Sequence, residues 1–241
     1  MIENGNVMTN ENIGGIDPQE VIGGDSRNPV TDTTVFPYNT ICDIVAYYDD
    51  GTVAYGTGTL YCANSIITAA HVIYDKEKKL WANRVEAYFG RNGYSSYNQL
   101  AQDTRILAHK YYINDGNGEY DYAFVDLNKS FGNWMGYGYY KDINKAAGKE
   151  VTVTGYPIDK GYYYMYTAKE KIKDATDRII RHYVDTAGGE SGAAIIDSEY
   201  GVIVGIHTTT VDSPWPWWNI GIRLNEEICN IMQAHQQELQ Q

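Results

Sequence analysis

The chain has 241 residues, a length that fits one large all-β unit or two small barrels and can bury a core without metals or many disulfides. Hydrophobic residues make up 43% and charged residues 21%, and no apolar run approaches the roughly 20 residues of a membrane-spanning helix. The net charge of −12 argues against a nucleic-acid groove, which needs clustered Lys and Arg.

Residues 1–20 are polar and aperiodic, with Glu3, Glu11, Asp17 and Glu20 and no Lys or Arg, so they are expected to be mobile. The first fifteen residues lack the basic start and apolar middle of a signal peptide, so the chain is either cytosolic or written without its export signal. From Phe36 onward, short strands alternate with turn signals. Strands are expected over 41–48, 53–61, 65–69, 85–89, 122–127, 150–155, 193–196, 202–206 and 220–223, with Asp49-Asp50-Gly51 as a hairpin turn. Many short strands at this spacing suggest a barrel or sandwich. Residues 131–148, rich in Gly and Tyr, are expected to connect two halves. Residues 225–241 contain Ile228, Ile231, Met232, His235 and Leu239 at helical spacing, with Asn225 as N-cap, and are expected to form a helix closing the second half. The 23 tyrosines suit half-buried strands better than a ligand platform.

Cysteine usage is sparse. Cys42, Cys62 and Cys229 lack CxxC spacing, which disfavours zinc. Cys42 and Cys62 lie on successive expected strands and either bridge across the hairpin or remain thiols, while Cys229 has no evident partner. The five histidines show no HxxxH pairing, so no metal ligand set is expected.

Three local motifs carry chemistry when taken together. In Gly188-Gly189-Glu190-Ser191-Gly192, glycines allow a tight turn that exposes a hydroxyl, and the amides of Gly189 and Ser191 can point at one oxyanion. A serine hydroxyl needs a base beside it, and Thr68-Ala69-Ala70-His71 places an imidazole after a short apolar strand. Asp121, before the strand Tyr122-Ala123-Phe124-Val125-Asp126-Leu127, is a carboxylate suited to orient that imidazole. Each alone has an ordinary explanation: a Gly/Ser turn, a structural histidine, a turn aspartate.

Together, in the order His, Asp, Ser, the motifs resemble those of secreted bacterial chymotrypsin-like serine proteases, from residue 21 to about 225. The resemblance implies an all-β fold of two six-stranded β-barrels with a C-terminal α-helix, and His71, Asp121 and Ser191 as a catalytic triad in the cleft. The implied organisation is a propeptide over 1–20, a first barrel over 21–130, the connection over 131–148, a second barrel over 149–224 and the helix over 225–241. A narrower resemblance points to the glutamyl endopeptidases. Thr186 stands five residues before Ser191, His207 ends the strand Val202-Ile203-Val204-Gly205-Ile206, and Val21-Ile22-Gly23-Gly24-Asp25 resembles the mature N-terminus of that group. The resemblance implies an S1 pocket of Thr186, His207 and the α-amino group of Val21, freed by cleavage of the Glu20-Val21 bond. It also implies polypeptide substrates, a secreted monomer, no nucleic acid or membrane insertion, and no cofactor, with structural calcium left open. The rivals are a protease of the same fold with another P1 preference and a catalytically silent binding module.

Two departures stand out. Glu190 occupies a position that is usually uncharged in the glutamyl group, so the Val21 amine might instead pair with Glu190 as it does with an Asp in trypsin-like enzymes. Val72 follows His71 where many animal relatives carry Cys. The tryptophan-rich segment 212–219 is expected to form a rim over S1, and Thr208, Thr209 and Thr210 to lie along the substrate backbone.

Overall fold

The computed structural model describes residues 21–22, 24–210 and 218–241. The leader with Glu20 and most of the tryptophan-rich segment lie outside the described residues. In chain order the strands are β1 (Asn28–Pro29), β2 (Ile41–Tyr48), β3 (Val53–Cys62), β4 (Ser65–Thr68), β5 (Tyr74–Asp75), β6 (Leu80–Phe89), β7 (Gln99–Ala108) and β8 (Ala123–Leu127). They continue as β9 (Glu150–Gly155), β10 (Tyr166–Ala175), β11 (Ile179–His182), β12 (Ala194–Asp197), β13 (Val202–Thr210) and β14 (Asn219–Arg223). Helices are short α1 (Ala70–Ile73) and α2 (Lys110–Asp115) and the longer α3 (Glu226–Glu238). None among the described residues is long and apolar enough to cross a membrane.

The strands close into two six-stranded barrels. One runs β2-β3-β4-β8-β7-β6 and is sealed by β2 pairing with β6; the other runs β9-β10-β11-β14-β13-β12 and is sealed by β9 pairing with β10. Numbered within each barrel, both rings read 1-2-3-6-5-4, so the same topology occurs twice. Closure removes the unpaired edges that a flat sheet would expose.

Period-two patterning explains the cores. Along β2, Cys42, Ile44, Ala46 and Tyr48 point into the first barrel, joined by Val85, Ala87 and Phe89 of β6 and Val125 of β8. Val151, Val153, Ile195 and Val204 fill the second barrel. A third cluster lies between the barrels, where Tyr61, Ile67 and Phe124 meet Ile203, Ile206 and Ile222.

Helix α3 packs on this third cluster through Ile228 and Met232. Its N-cap Asn225 accepts a hydrogen bond from Ile228 N at 3.0 Å. Near its end, His235 bonds the Tyr61 hydroxyl and lies 3.2 Å from Asp126, so the helix ties the barrels together rather than only closing the second. The start of the chain is also displaced from expectation. Strand β1 pairs with β10, and Val30 N donates to Met165 O at 2.9 Å, so this segment lies on the second barrel although it precedes the first.

Cys42 and Cys62 are not bridged, contrary to one of the two readings of their spacing; both are buried free thiols, and Cys229 is free as well. The register explains why. Cys42 faces Gly58 across the hairpin, which leaves Cys62 four residues further along β3, roughly 13 Å away at ~3.3 Å per residue. Cys42 points into the first barrel and Cys62 into the cluster between barrels. Titration in denaturant should therefore find three thiols per chain, and reductant should leave the melting temperature unchanged. A deficit of two thiols in the unreduced protein would overturn this account.

Candidate active site

Histidine 71 is placed by the end of β4. Ala69 is extended, and one turn of α1 then lifts His71 to the barrel rim, where it is partly exposed. Asp121 ends a short 3-10 turn just before β8, and β8 pairs with β4 through Thr68 and Ala123. That adjacency brings together residues fifty positions apart. His71 Nδ1 lies 2.6 Å from Asp121 Oδ2, and Asp121 Oδ1 accepts from His71 N at 2.9 Å. One buried carboxylate thus holds both the ring and the backbone of the histidine.

Ser191 comes from the other barrel, in the loop between β11 and β12. Gly189 and Gly192 have φ of +94° and +87°, conformations that L side chains rarely adopt. Gly192 N donates to His207 O and His207 N to Ala193 O, both at 2.8 Å, so β13 supports the loop from behind. The Ser191 hydroxyl donates to Thr208 O at 3.3 Å. A side chain at Gly192 would overlap the Thr68 hydroxyl and crowd the Ala69 amide, two residues before His71. A side chain at Gly56 would lie 2.7 Å from Val72 and 3.1 Å from Ser191 O. The segments carrying His71 and Ser191 therefore meet at one place.

Thr57 fastens that meeting point. Its amide donates to Ser191 O at 2.8 Å and its hydroxyl to Gly189 O at 2.9 Å. The same hydroxyl accepts from Tyr156 N at 3.1 Å, and the Thr57 carbonyl accepts from the Thr68 hydroxyl at 2.8 Å. The Gly188 carbonyl is taken by Ile158 N at 2.7 Å, and because a trans peptide opposes its C=O and N–H, the Gly189 amide points the other way.

The expected pocket residues flank this loop. Thr186 and His207 are fully buried, and among the described residues neither Thr186 Oγ1 nor His207 Nε2 has a well-formed hydrogen-bond partner. His207 Nδ1 lies 3.3 Å from His182 Nε2, a second fully buried imidazole. Burial, then the proximity of His182 and His71, holds His207 well below the usual histidine range, and burial lowers His182 to about 3. Both rings are neutral at pH 7. Val21 sits beside the pocket loop, since Ile22 N donates to Asp185 Oδ1 at 2.6 Å and Ser26 N and Oγ donate to Oδ2 at 2.8 and 2.6 Å.

Glu190 is turned toward Ala187 and Arg27. Its Oε2 accepts from Ala187 N at 2.8 Å and lies 3.6 Å from Arg27 Nη1. Arg27, Asp185, Thr57 and His182 were not singled out by the sequence. The one usable signal was Gly56-Thr57-Gly58, since glycines inside a strand mark close backbone approach.

The sequence of residues 56–206 matches the model of the trypsin-like peptidase domain. The chain is 30% identical over 235 residues to the extracellular metalloprotease of Bacillus subtilis, covering 95% of this chain and 74% of that protein. It is 31% identical over 180 residues to the glutamyl endopeptidase of Bacillus licheniformis, covering 74% of this chain and 55% of that protein. A solved Glu endopeptidase, in complex with MPD, superposes with a TM-score of 0.79 at 25% identity, over 90% of this chain and 99% of that one. Among the described residues, no group of three or more His, Cys, Asp or Glu side chains is placed to hold a metal ion. With this match across well over half its length and two six-stranded barrels meeting at its His, Asp and Ser motifs, the chain belongs to the trypsin-like peptidases, as a serine endopeptidase of the chymotrypsin fold akin to the glutamyl endopeptidases.

Proposed function

We propose that this endopeptidase cleaves on the carboxyl side of Glu, with His71, Asp121 and Ser191 as its triad and Thr186 and His207 as the floor of its S1 pocket. The observation that carries the specificity is the pair of buried, unpartnered atoms Thr186 Oγ1 and His207 Nε2. A buried polar atom without a partner costs ~1–3 kcal/mol. An incoming carboxylate is a ligand that offers acceptors to both, and it needs such donors to replace its lost water.

The chemistry follows from the positions. Asp121 holds His71 Nδ1–H, which leaves Nε2 as the base that takes the Ser191 proton. The hydroxyl oxygen attacks the scissile carbonyl, and the amides of Gly189 and Ser191 receive the oxyanion. Collapse releases the amine, which takes the proton from His71, and leaves an acyl-serine. Water, deprotonated by the same imidazole, repeats the sequence and frees the carboxylic product. Thr57 acts upstream, by holding the carbonyls of residues 189 and 191 so that their loop keeps its shape.

The chain is made as a zymogen in this reading. Cleavage at Glu20-Val21 frees an α-amine next to Ile22, whose amide already rests on Asp185, the neighbour of Thr186. The amine then adds a third partner for the substrate carboxylate. Secretion fits the Bacillus subtilis relative, which is described as extracellular. The protein acts as a monomer on polypeptides.

Substitution Ser191→Ala should lower kcat by on the order of 10⁶ and abolish labelling by a fluorophosphonate. In a peptide panel differing only at P1, Glu should lead, and Thr186→Val should lower kcat/KM for Glu about 10–100-fold while leaving Gln nearly unchanged. Equal cleavage after Glu and Gln by the parent enzyme would remove the specificity assignment. Incubation followed by mass spectrometry should reveal a new N-terminus at Val21; full activity with Met1 retained would exclude zymogen activation.

The neutral His207 sets a pH dependence. A bound carboxylate favours imidazolium, so binding raises a pKa that burial had lowered and takes up a proton. Affinity for Glu is then greatest at the acidic end of the range and weakens as pH rises through the pKa of the complex. KM for a Glu substrate should climb with rising pH relative to KM for its Gln counterpart. A constant ratio would show that His207 binds as the neutral ring.

A further inference from the structure

We propose that Arg27 is the built-in cation that holds the oxyanion loop in its working shape, which leaves the Val21 amine free for the substrate pocket. This rests on the assignment of Ser191 and the Gly189 amide above.

The argument starts from Glu190. It lies between the two residues whose amides form the oxyanion site, and its side chain is only 1% exposed. The end of β9 covers it, since a side chain at Gly155 would come within 3.1 Å of Glu190 Cγ. The carboxylate closes the turn on itself by accepting from Ala187 N, while Glu190 N donates back to Ala187 O at 3.1 Å. An ionised carboxylate in such a place needs a counter-charge, or it protonates or swings out and takes the Gly189 amide with it.

Arg27 supplies that charge. Its side chain is equally buried, and its Nη1 is 3.6 Å from Glu190 Oε2. The rest of the guanidinium is anchored at the rim: Nε and Nη2 bond Asp25 at 2.9 and 3.0 Å, and Nη1 and Nη2 bond Asp159 at 2.9 and 2.6 Å. Asp25 is further held by Lys160 at 2.8 Å. Two partly exposed carboxylates thus aim one cation at one enclosed carboxylate. Burial lifts the Glu190 carboxyl to about 8 while the Ala187 amide and Arg27 pull it back, so its ionised form depends on both partners.

A second clasp works beside the first. Asp185 is gripped by Ile22 and Ser26 at the other end of the same loop. Residues 22–27 therefore hold the loop 185–190 at both ends, and all the donors belong to residues that need no cleavage to exist. Arg27 is a positioning residue, acting on the oxyanion amides through Glu190.

The test is a double-mutant cycle of Arg27→Met and Glu190→Gln, produced from the full-length chain, reading the rate of Ser191 labelling by a fluorophosphonate together with kcat and KM. Arg27→Met should slow labelling and kcat about 10²-fold at nearly constant KM. The same change in the Glu190→Gln background should cost less than about threefold, because no buried carboxylate is left alone. Equal losses in both backgrounds, or parental rates in Arg27→Met, would overturn the proposal. If Arg27→Met alone does not fold, comparison of Glu190→Gln with the double variant decides: near-equal rates support the proposal, and a further tenfold loss defeats it. Labelling does not depend on P1, so a wrong S1 assignment leaves this readout intact, whereas labelling that survives Ser191→Ala would defeat the active-site assignment instead.

Discussion

Two barrels that close separately share no strand, so any site between them depends on what joins their rims. In this chain Thr57 is that joint. From the first barrel it bonds the carbonyls of residues 189 and 191 and the amide of Tyr156, all from the second. Its own carbonyl is fixed by Thr68, three residues before His71. His71 and Ser191 are thus referenced to one buried residue, with Gly56 and Gly192 bare so that the backbones can close in. A few tenths of an ångström matter in such a site, and a stiff polar joint between rigid strands is a physical way to hold that tolerance.

Two buried carboxylates away from the cleft are paired with cations. Asp43 is paired with Arg91 at 2.5 Å, and Arg91 is flanked by the rings of Tyr88 and Tyr163. Asp126 is held by Arg105 at 2.7 Å and by His235 under the C-terminal helix. Around the cleft, buried imidazoles and the Thr186 hydroxyl are short of partners among the described residues, as are the Thr59 and Tyr122 hydroxyls elsewhere. Stability alone gives no reason for that arrangement, since an apolar side chain would cost less. In the reading proposed here, a substrate carboxylate that completes the bonds gives one.

Local motifs were legible because their chemistry is local. The turn Gly188-Gly189-Glu190-Ser191-Gly192 needs its glycines for its own backbone, and two of them do adopt positive φ. Alternation along β2 and the helical spacing of Ile228 and Met232 likewise depend only on neighbours in the chain. Misreadings arose wherever a partner came from far away. Adjacent strands suggested that Cys42 and Cys62 could meet, but the register set by the hairpin turn keeps them apart and on opposite faces. Nothing in the local sequence marks Arg27, because its partners Asp159 and Glu190 lie more than a hundred positions away.

What the amino-acid sequence determined by itself was the class of strands, the closing helix, and three chemically apt residues in a fixed order. Those rest on periodicity, turn residues and reactive side chains, each encoded within a few positions. Tertiary structure alone decided which groups meet: His71 with Asp121 through the pairing of β4 with β8, Glu190 with Arg27, and His207 with His182. The reason is that contact and burial are properties of the closed barrels. No side chain carries its neighbours or its desolvation in its own name, and both the pairing of charges and the titration of the pocket histidines follow from them.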